Sequence, residues 1–342
     1  MKKTLILLSL LLCVLIINAQ IPAGYYNNAE GQTGAALKTA LYNIIKGHKQ
    51  YSYTEDTTDV WDILKHTDKD PNNSLNVIQI YTGWSVNAAQ EYNGGNGWER
   101  EHIWAKSHGD FGTEPPAGTD VHHLRPINRS VNSARNNRWF ANCTEPYLVN
   151  GSPCGSFTST TQYVWMPRPQ DKGDVARMIF YMATRYEGQN GEVNLEIVDY
   201  IPTDNNDPSP IMAKLSDLLQ WHIDDPVDNW EINRNNIIYT FYQHNRNPFI
   251  DHPEYVKKIW GDPNSVNESV LPKFTVYPNP ANDIIHIETS EPVDNVIIYN
   301  ITGKQMIQTK EKTINTTELE PGLYIISIQS NKYNHNQKIS IK

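Results

Sequence analysis

A carboxylate and an imidazole stand side by side in the stretch WEREHIWAKS, Trp98–Ser107, at Glu101 and His102. Farther along, VHHLRPINRSVNSARNNRWF carries Arg125, Arg129, Arg135 and Arg138 with no acidic residue, and adds His122, His123, Asn128, Asn132, Asn136 and Asn137. Such side chains donate to phosphate oxygens, and an asparagine carbonyl offers a neutral oxygen to a hard cation. Phosphodiester hydrolysis needs these functions. Water must lose a proton as it attacks, the pentacovalent phosphate must be neutralised, and the leaving oxygen must be stabilised. A neutral imidazole suits the first task near pH 7. Mg²⁺ suits the other two and is commonly held by one or two protein oxygens, with water and substrate completing its shell. His102, Glu101 and Asn132 are therefore a sufficient minimal set.

Adjacency alone is a poor argument for a shared site, because neighbouring side chains on an ideal strand point to opposite faces. A run of arginines is also ordinarily a solvated face. His122 and His123 are neighbours too, and fixing a hairpin by hydrogen bonding is the more ordinary use of such a pair.

The 342 residues allow one large domain with a small one, or two medium domains. With 20% charged and 39% hydrophobic residues, the composition is that of a folded globular protein. The formal charge of −9 opposes polyanion binding unless positive potential is local. At the N-terminus, two lysines precede an apolar run, Leu5 to Ile17, and a polar exit at Asn18-Ala19. That order reads as a signal peptide over residues 1–19, the alternative being a short membrane anchor. No other segment is apolar for long enough to span a bilayer. Cys143 and Cys154, eleven positions apart, read as one disulfide in an oxidising compartment, with two free buried thiols as the alternative.

Residues 263–272 are polar, proline-containing and without periodicity, and read as a linker. After them, DIIHIET, NVIIYNI and GLYIISI alternate with turn sequences, the pattern of a small all-β sandwich over 273–342 in which Phe274, Tyr277, Tyr299, Tyr324 and Tyr333 serve core packing. This tail has equal numbers of acidic and basic residues, so the central region, Gln20–Pro272, holds −11 of formal charge once the leader's two lysines are removed. Within it, ALKTALYNIIKGH and VARMIFYMATRYEG show helical spacing of apolar residues, and NVIQIYTGW reads as a buried strand. A carbohydrate-binding module is the competing reading of the tail. The motif order YPNPANDIIHIE, IYNITGKQM and LEPGLYIISIQ resembles the C-terminal sorting domain that addresses cargo to the type IX secretion machinery. That resemblance implies a secreted or cell-surface destination and an immunoglobulin-like sandwich.

In the central region, WEREHIWAKSHGDFG, GTDVHHLRPINRSVNSARNN, KGDVARMIFYMATRYE and NRNPFIDHPEYVKKIW resemble, in order, the motifs of the bacterial endonuclease I family. The resemblance implies an α+β catalytic domain over 20–262 with a ββα-metal, or His-Me finger, site that cuts DNA, RNA or both with little sequence preference. By position it makes His102 the general base, Glu101 and Asn132 the ligands of one divalent ion, and Arg177 a phosphate contact, with Arg135 and Asn137 supporting the site. Mg²⁺ is the expected ion, with Mn²⁺ or Ca²⁺ as substitutes, and the protein is expected to act as a monomer. His122, His123, Arg125, Arg129 and Arg138 then bind nucleic acid or support the site. Two departures are visible. Relatives place a second acidic residue near what is here Gly118 to hold the base histidine, and they carry an arginine in an insertion that HGDFGTEPPAG lacks. What orients His102 is left open, and Arg177 and Arg246 are the candidates for the second role. The rival reading is a degenerate surface protein that binds nucleic acid or glycan without cutting it.

Overall fold

The computed structural model describes residues 21–205, 207–263, 274–289, 292–330 and 333–342. The leader at 1–19 lies outside the described residues, as do positions 264–272 of the linker. The chain divides into two compact units at Asn264/Ser265.

In the first unit, α1 (Gly34–Ile45) buries Leu37, Leu41 and Ile45 at four-residue spacing, one helical stripe. Helix α2 (Val60–Thr67) starts at Asp59, whose side chain accepts from the Asp62 N–H at 3.2 Å. Strands β1 (Lys69–Asp70), β2 (Asn73–Ile78) and β3 (Ser85–Asn87) form an antiparallel sheet. The apolar run Asn76–Trp84 is not one buried strand: β2 ends at Ile78. There the Gln79 N–H donates to the Trp84 carbonyl and the Gly83 N–H to the Gln79 carbonyl, each at 2.9 Å. Tyr81 and Gly83 take φ of 70° and 66°. A Cβ at Gly83 would lie 2.3 Å from the Arg168 guanidinium, which would have to move, and the positive φ itself favours glycine.

The motifs that hold Glu101, His102 and Asn132 fall on the next three elements. Strand β4 (Trp98–His102) pairs antiparallel with β5 (Leu124–Asn128), with Glu101 opposite Arg125 and His102 opposite Leu124. Helix α3 (Arg129–Arg135) follows β5 at once, because the Asn128 side chain caps it by accepting from the Ser130 and Val131 N–H groups. Beyond α3, β6 (Trp139–Phe140), β7 (Glu145–Val149), β8 (Ser152–Ser159) and β9 (Val164–Met166) lead to α4 (Lys172–Arg185). Strands β10 (Glu196–Val198) and β11 (Ile211–Lys214) complete a six-stranded sheet of order β10-β11-β6-β9-β8-β7. Helices α5 (Leu215–Asp224), α6 (Asn229–Ile237), α7 (Pro248–Asp251) and α8 (Glu254–Trp260) follow. Helix α4 is buried from Gly173 to Arg185. Its charged side chains therefore need internal partners.

In the second unit, β12 (Thr275–Tyr277), β13 (Ile284–Glu288), β14 (Asn295–Asn300), β15 (Gln305–Thr309), β16 (Thr313–Asn315), β17 (Gly322–Ser330) and β18 (Tyr333–Ile341) form two antiparallel sheets, of order β12-β13-β16 and β15-β14-β17-β18. Alternating residues such as Ile285, Ile287, Val296, Ile298, Ile326 and Ile328 form their shared core. Phe274 and Tyr324 join it, whereas Tyr277 is 45% exposed and does not serve core packing.

The expected disulfide is corrected: Cys143 and Cys154 are both free. Cys143 precedes β7, whereas Cys154 lies within β8. Glu145, two residues after Cys143, pairs with Thr158, four residues beyond Cys154. Followed outward from that pair, the antiparallel register carries Cys143 away from Cys154, and both thiols stay unpaired. Alkylation of the mature protein under denaturing, non-reducing conditions should therefore label both thiols, and reductant should leave the unfolding midpoint unchanged.

Several imidazoles are buried uncharged. Burial pushes His122, His123 and His222 down to about 4, and pushes His48 and His108 down as well. In the unfolded chain an imidazole takes a proton near pH 6.5. Between about 6.5 and 4 the unfolded state binds protons that the folded state refuses, so these groups contribute stability above that window that is lost as pH falls through it. Thermal unfolding followed from pH 7 to pH 4 should show a midpoint falling by several degrees, with a shallower slope in His122→Gln.

Candidate active site

A groove of about 640 Å³ is lined by the consecutive residues Glu99, Arg100, Glu101 and His102, from both faces of β4, and by Asn132 and Arg135 of α3. Alternation along the strand places Glu99 and Glu101 on one face, and residues three apart on α3 share a side of that helix. The two spacings match. Asn132 Nδ2 donates to Glu99 Oε2 at 2.8 Å, and Arg135 Nε lies 3.2 Å from Glu101 Oε1. The Tyr81 hydroxyl donates to the same Glu101 oxygen at 2.9 Å. Among the described residues, nothing donates to Glu101 Oε2 or to Asn132 Oδ1. Burial pushes the Glu101 carboxyl above its ordinary range, against the pull of Arg135 and the Tyr81 hydroxyl.

His102 points to the other face, at the strand's end. Its Nε2 donates to the Gly118 carbonyl at 2.9 Å, and its ring stacks on Tyr53 with centres 5.5 Å apart and planes at 25°. A proton held on Nε2 leaves the Nδ1 lone pair free to accept one. Burial, reinforced by the neighbouring His123, holds the imidazole well below its ordinary value, so it is neutral at pH 7. The backbone of Gly118 thus does the orienting for which the sequence offers no carboxylate. An acidic side chain has no room there, since a Cβ would meet Thr113 backbone atoms at 2.6 and 2.7 Å.

The other expected site residues are distributed unevenly. Asn137 lines the groove, with its Oδ1 accepting from the Tyr163 hydroxyl at 2.7 Å. Arg129 is exposed and donates to the Gly95 carbonyl at 2.7 Å, and Arg138 covers the Tyr163 ring. Arg125 is not on the groove: it is buried against Asp68 and Asp174, at 2.5 and 3.3 Å. His122 and His123 are buried as well, bonded to Asn245 and to the Ala117 carbonyl. Arg177 is fully buried on α4, with its guanidinium clamped by both Glu231 oxygens at 2.7 and 2.6 Å and by the Asp225 carbonyl. It does not line the groove. Arg246 is likewise clamped, by Asp251 at 2.6 and 2.7 Å. Both guanidinium charges are thus engaged by internal carboxylates, away from the residues that line the groove.

Sequence reasoning missed Tyr81, Glu99 and Tyr53. Glu99 was legible in principle, from its two-residue offset to Glu101 and the three-residue offset of Asn132 to Arg135. Tyr81 had no such signal. It reaches Glu101 because its strained backbone is pinned, its N–H by Asp171 and its carbonyl by the Ser156 hydroxyl, each at 2.8 Å.

Among the described residues no three His, Cys, Asp or Glu side chains cluster to hold a metal ion. The donors that fit a hard cation are the free oxygens of Glu101 and Asn132, and a cation beside Glu101 would favour the ionised carboxylate that burial disfavours.

The groove gathers a neutral imidazole with a carboxylate and an amide oxygen, the group types that phosphodiester hydrolysis uses. Residues 33–254 match the Endonuclease I family, and residues 275–342 match the secretion system C-terminal sorting domain. Over 238 residues the chain is 51% identical to the extracellular ribonuclease of Bacillus subtilis (strain 168), across 69% of this chain and 78% of that protein. The extracellular ribonuclease of Bacillus amyloliquefaciens is also 51% identical over 238 residues. The chain belongs to the Endonuclease I family. It is a secreted or cell-surface nuclease that hydrolyses phosphodiester bonds, and nucleases of this family generally depend on a divalent metal.

The placement of His102 yields a direct test. Gly118→Ala must shift the segment whose carbonyl holds the imidazole, and a displacement near 1 Å costs about a hundredfold in rate. We expect kcat to fall by that order with KM little changed, measured on a fluorogenic oligonucleotide.

Proposed function

We propose that the chain is a divalent-metal-dependent endonuclease of the ββα-metal, or His-Me finger, type, cutting with little sequence preference. The observation that carries this reading is the convergence on one groove of three unengaged acceptors: Glu101 Oε2, Asn132 Oδ1 and His102 Nδ1. Mg²⁺ is the expected ion, with Mn²⁺ or Ca²⁺ as possible occupants of an oxygen site. When bound to Glu101 and Asn132, the ion supplies charge neutralisation at the scissile phosphate and the leaving oxygen.

The chain's own residues do the rest. His102 Nδ1 takes the proton from the attacking water, while the Gly118 carbonyl keeps the opposite nitrogen protonated. Arg135 and Tyr81 hold one Glu101 oxygen, which aims the other into the groove. Glu99 holds the Asn132 amide nitrogen and thereby presents its oxygen. Because these groups address the phosphodiester and not base edges, cleavage carries little sequence information. RNA is a substrate on the strength of the ribonuclease relatives, and the same chemistry acts on DNA.

We read residues 20–262 as the catalytic domain and 273–342 as an immunoglobulin-like sandwich that engages a type IX secretion machinery, with the enzyme acting as a monomer. His102→Ala should lower kcat by about 10² to 10⁴ while nucleic-acid binding persists. Chelator should abolish nicking of a supercoiled plasmid, and Mg²⁺ should restore it with wild-type protein but only at higher concentration with Asn132→Ala. A His102→Ala protein that cuts at the wild-type rate would sink the assignment.

A further inference from the structure

The walls of the groove differ in chemistry. One flank is aromatic, with Tyr53, Trp61 and Tyr92 lining it together with Arg100. The Arg100 guanidinium lies 3.4 Å from the centre of the Tyr53 ring and 4.0 Å from that of Trp61, and it donates to the Tyr53 carbonyl and the Thr54 hydroxyl. This arginine is built into the wall and is not free to chase phosphates. Tyr53 also stacks on His102. An aromatic surface therefore runs from the base imidazole outward along the groove.

Tyr92 is the exposed member of this flank, with 56% of its surface open. Its φ is 50°, in the region that favours glycine, although the same loop has glycine at 94, 95 and 97. The strained position is held by its surroundings: the Tyr92 N–H donates to the Trp98 carbonyl at 2.8 Å, and its carbonyl accepts from Gly95 and Gly97 at 2.7 and 3.0 Å. A ring kept exposed on an anchored, strained backbone at the mouth of a groove is preorganised for a planar partner.

Charge points the same way. The chain is at −9, and Arg125, Arg135, Arg177 and Arg246 are engaged by carboxylates. Neutralising the phosphates of both strands of a duplex needs many free cations, and stacking on aromatic rings is the contribution that does not. Bases already stacked in a duplex cannot use it.

We infer that the Tyr53–Arg100–Trp61 wall and the Tyr92 ring form a subsite for an unpaired nucleobase flanking the scissile phosphate, making single-stranded nucleic acid the preferred substrate class. This rests on the groove being the cleavage site. Stacking of one base on an aromatic ring is worth about tenfold or more in affinity.

The test uses the full chain and short single-stranded oligonucleotides carrying 2-aminopurine, whose fluorescence is quenched by stacking. In His102→Ala protein, binding should quench the probe; the quench should vanish when Tyr92→Ala is added and persist with Tyr92→Phe. In otherwise unaltered enzyme, the ratio of kcat/KM for single-stranded over duplex substrate should exceed one. It should drop about tenfold in Tyr92→Ala and in Tyr92→Gly, which suits the backbone φ, and be retained in Tyr92→Phe. A ratio unchanged in both truncations, or a quench that survives Tyr92→Ala, overturns the subsite. Full activity in His102→Ala would instead overturn the cleavage reading beneath it.

Discussion

Glu101 is a carboxylate enclosed by protein at the end of a strand, and the arrangement around it follows from the cost of enclosing it. A buried carboxylate is tolerated only with a counter-charge and hydrogen bonds. Arg135 and the Tyr81 hydroxyl supply these, and both serve one oxygen. The other oxygen takes no hydrogen bond among the described residues. The β4–β5 register and the asparagine cap of α3 exist in the positions needed to hold this pair together. In the reading proposed above, the oxygen left without a partner is the one that holds the cation.

The same rule organises the interior of the nuclease unit. Arg125 bridges Asp68 and Asp174, Arg177 is clamped by Glu231, Arg185 pairs with Glu192, Arg234 pairs with Asp68, and Arg246 pairs with Asp251. Of the basic patch read along the chain, Arg125 and Arg135 are internal braces, whereas Arg129 is exposed. An excess of acid over base is compatible with an enzyme for polyanions where binding depends on local groups and not on the overall field.

His102 shows how a backbone group can replace a side chain. The Gly118 carbonyl fixes the tautomer, and the stacked Tyr53 ring limits rotation of the imidazole. A carbonyl does this without adding charge, so burial keeps the ring neutral with no carboxylate to raise its proton affinity.

Residue types, local spacing and motif order determined a good deal. They located the two helical runs that became α1 and α4, the all-β tail, and Glu101, His102 and Asn132 as candidates that lie on one groove. These are short-range properties: apolar periodicity, turn chemistry and the functional groups of individual side chains. The tertiary structure alone decided which partner each charge takes. It put Arg177 and Arg246 out of reach of substrate, brought Tyr81 and Gly118 to the site from distant segments, and separated Cys143 from Cys154 across a hairpin register. It also resolved the objection that neighbours on a strand face apart. Glu101 and His102 do occupy opposite faces, and they share a groove because it crosses the end of β4 and takes its walls from both. Pairings of this kind depend on where the backbone brings remote residues, a quantity that no local window of sequence contains.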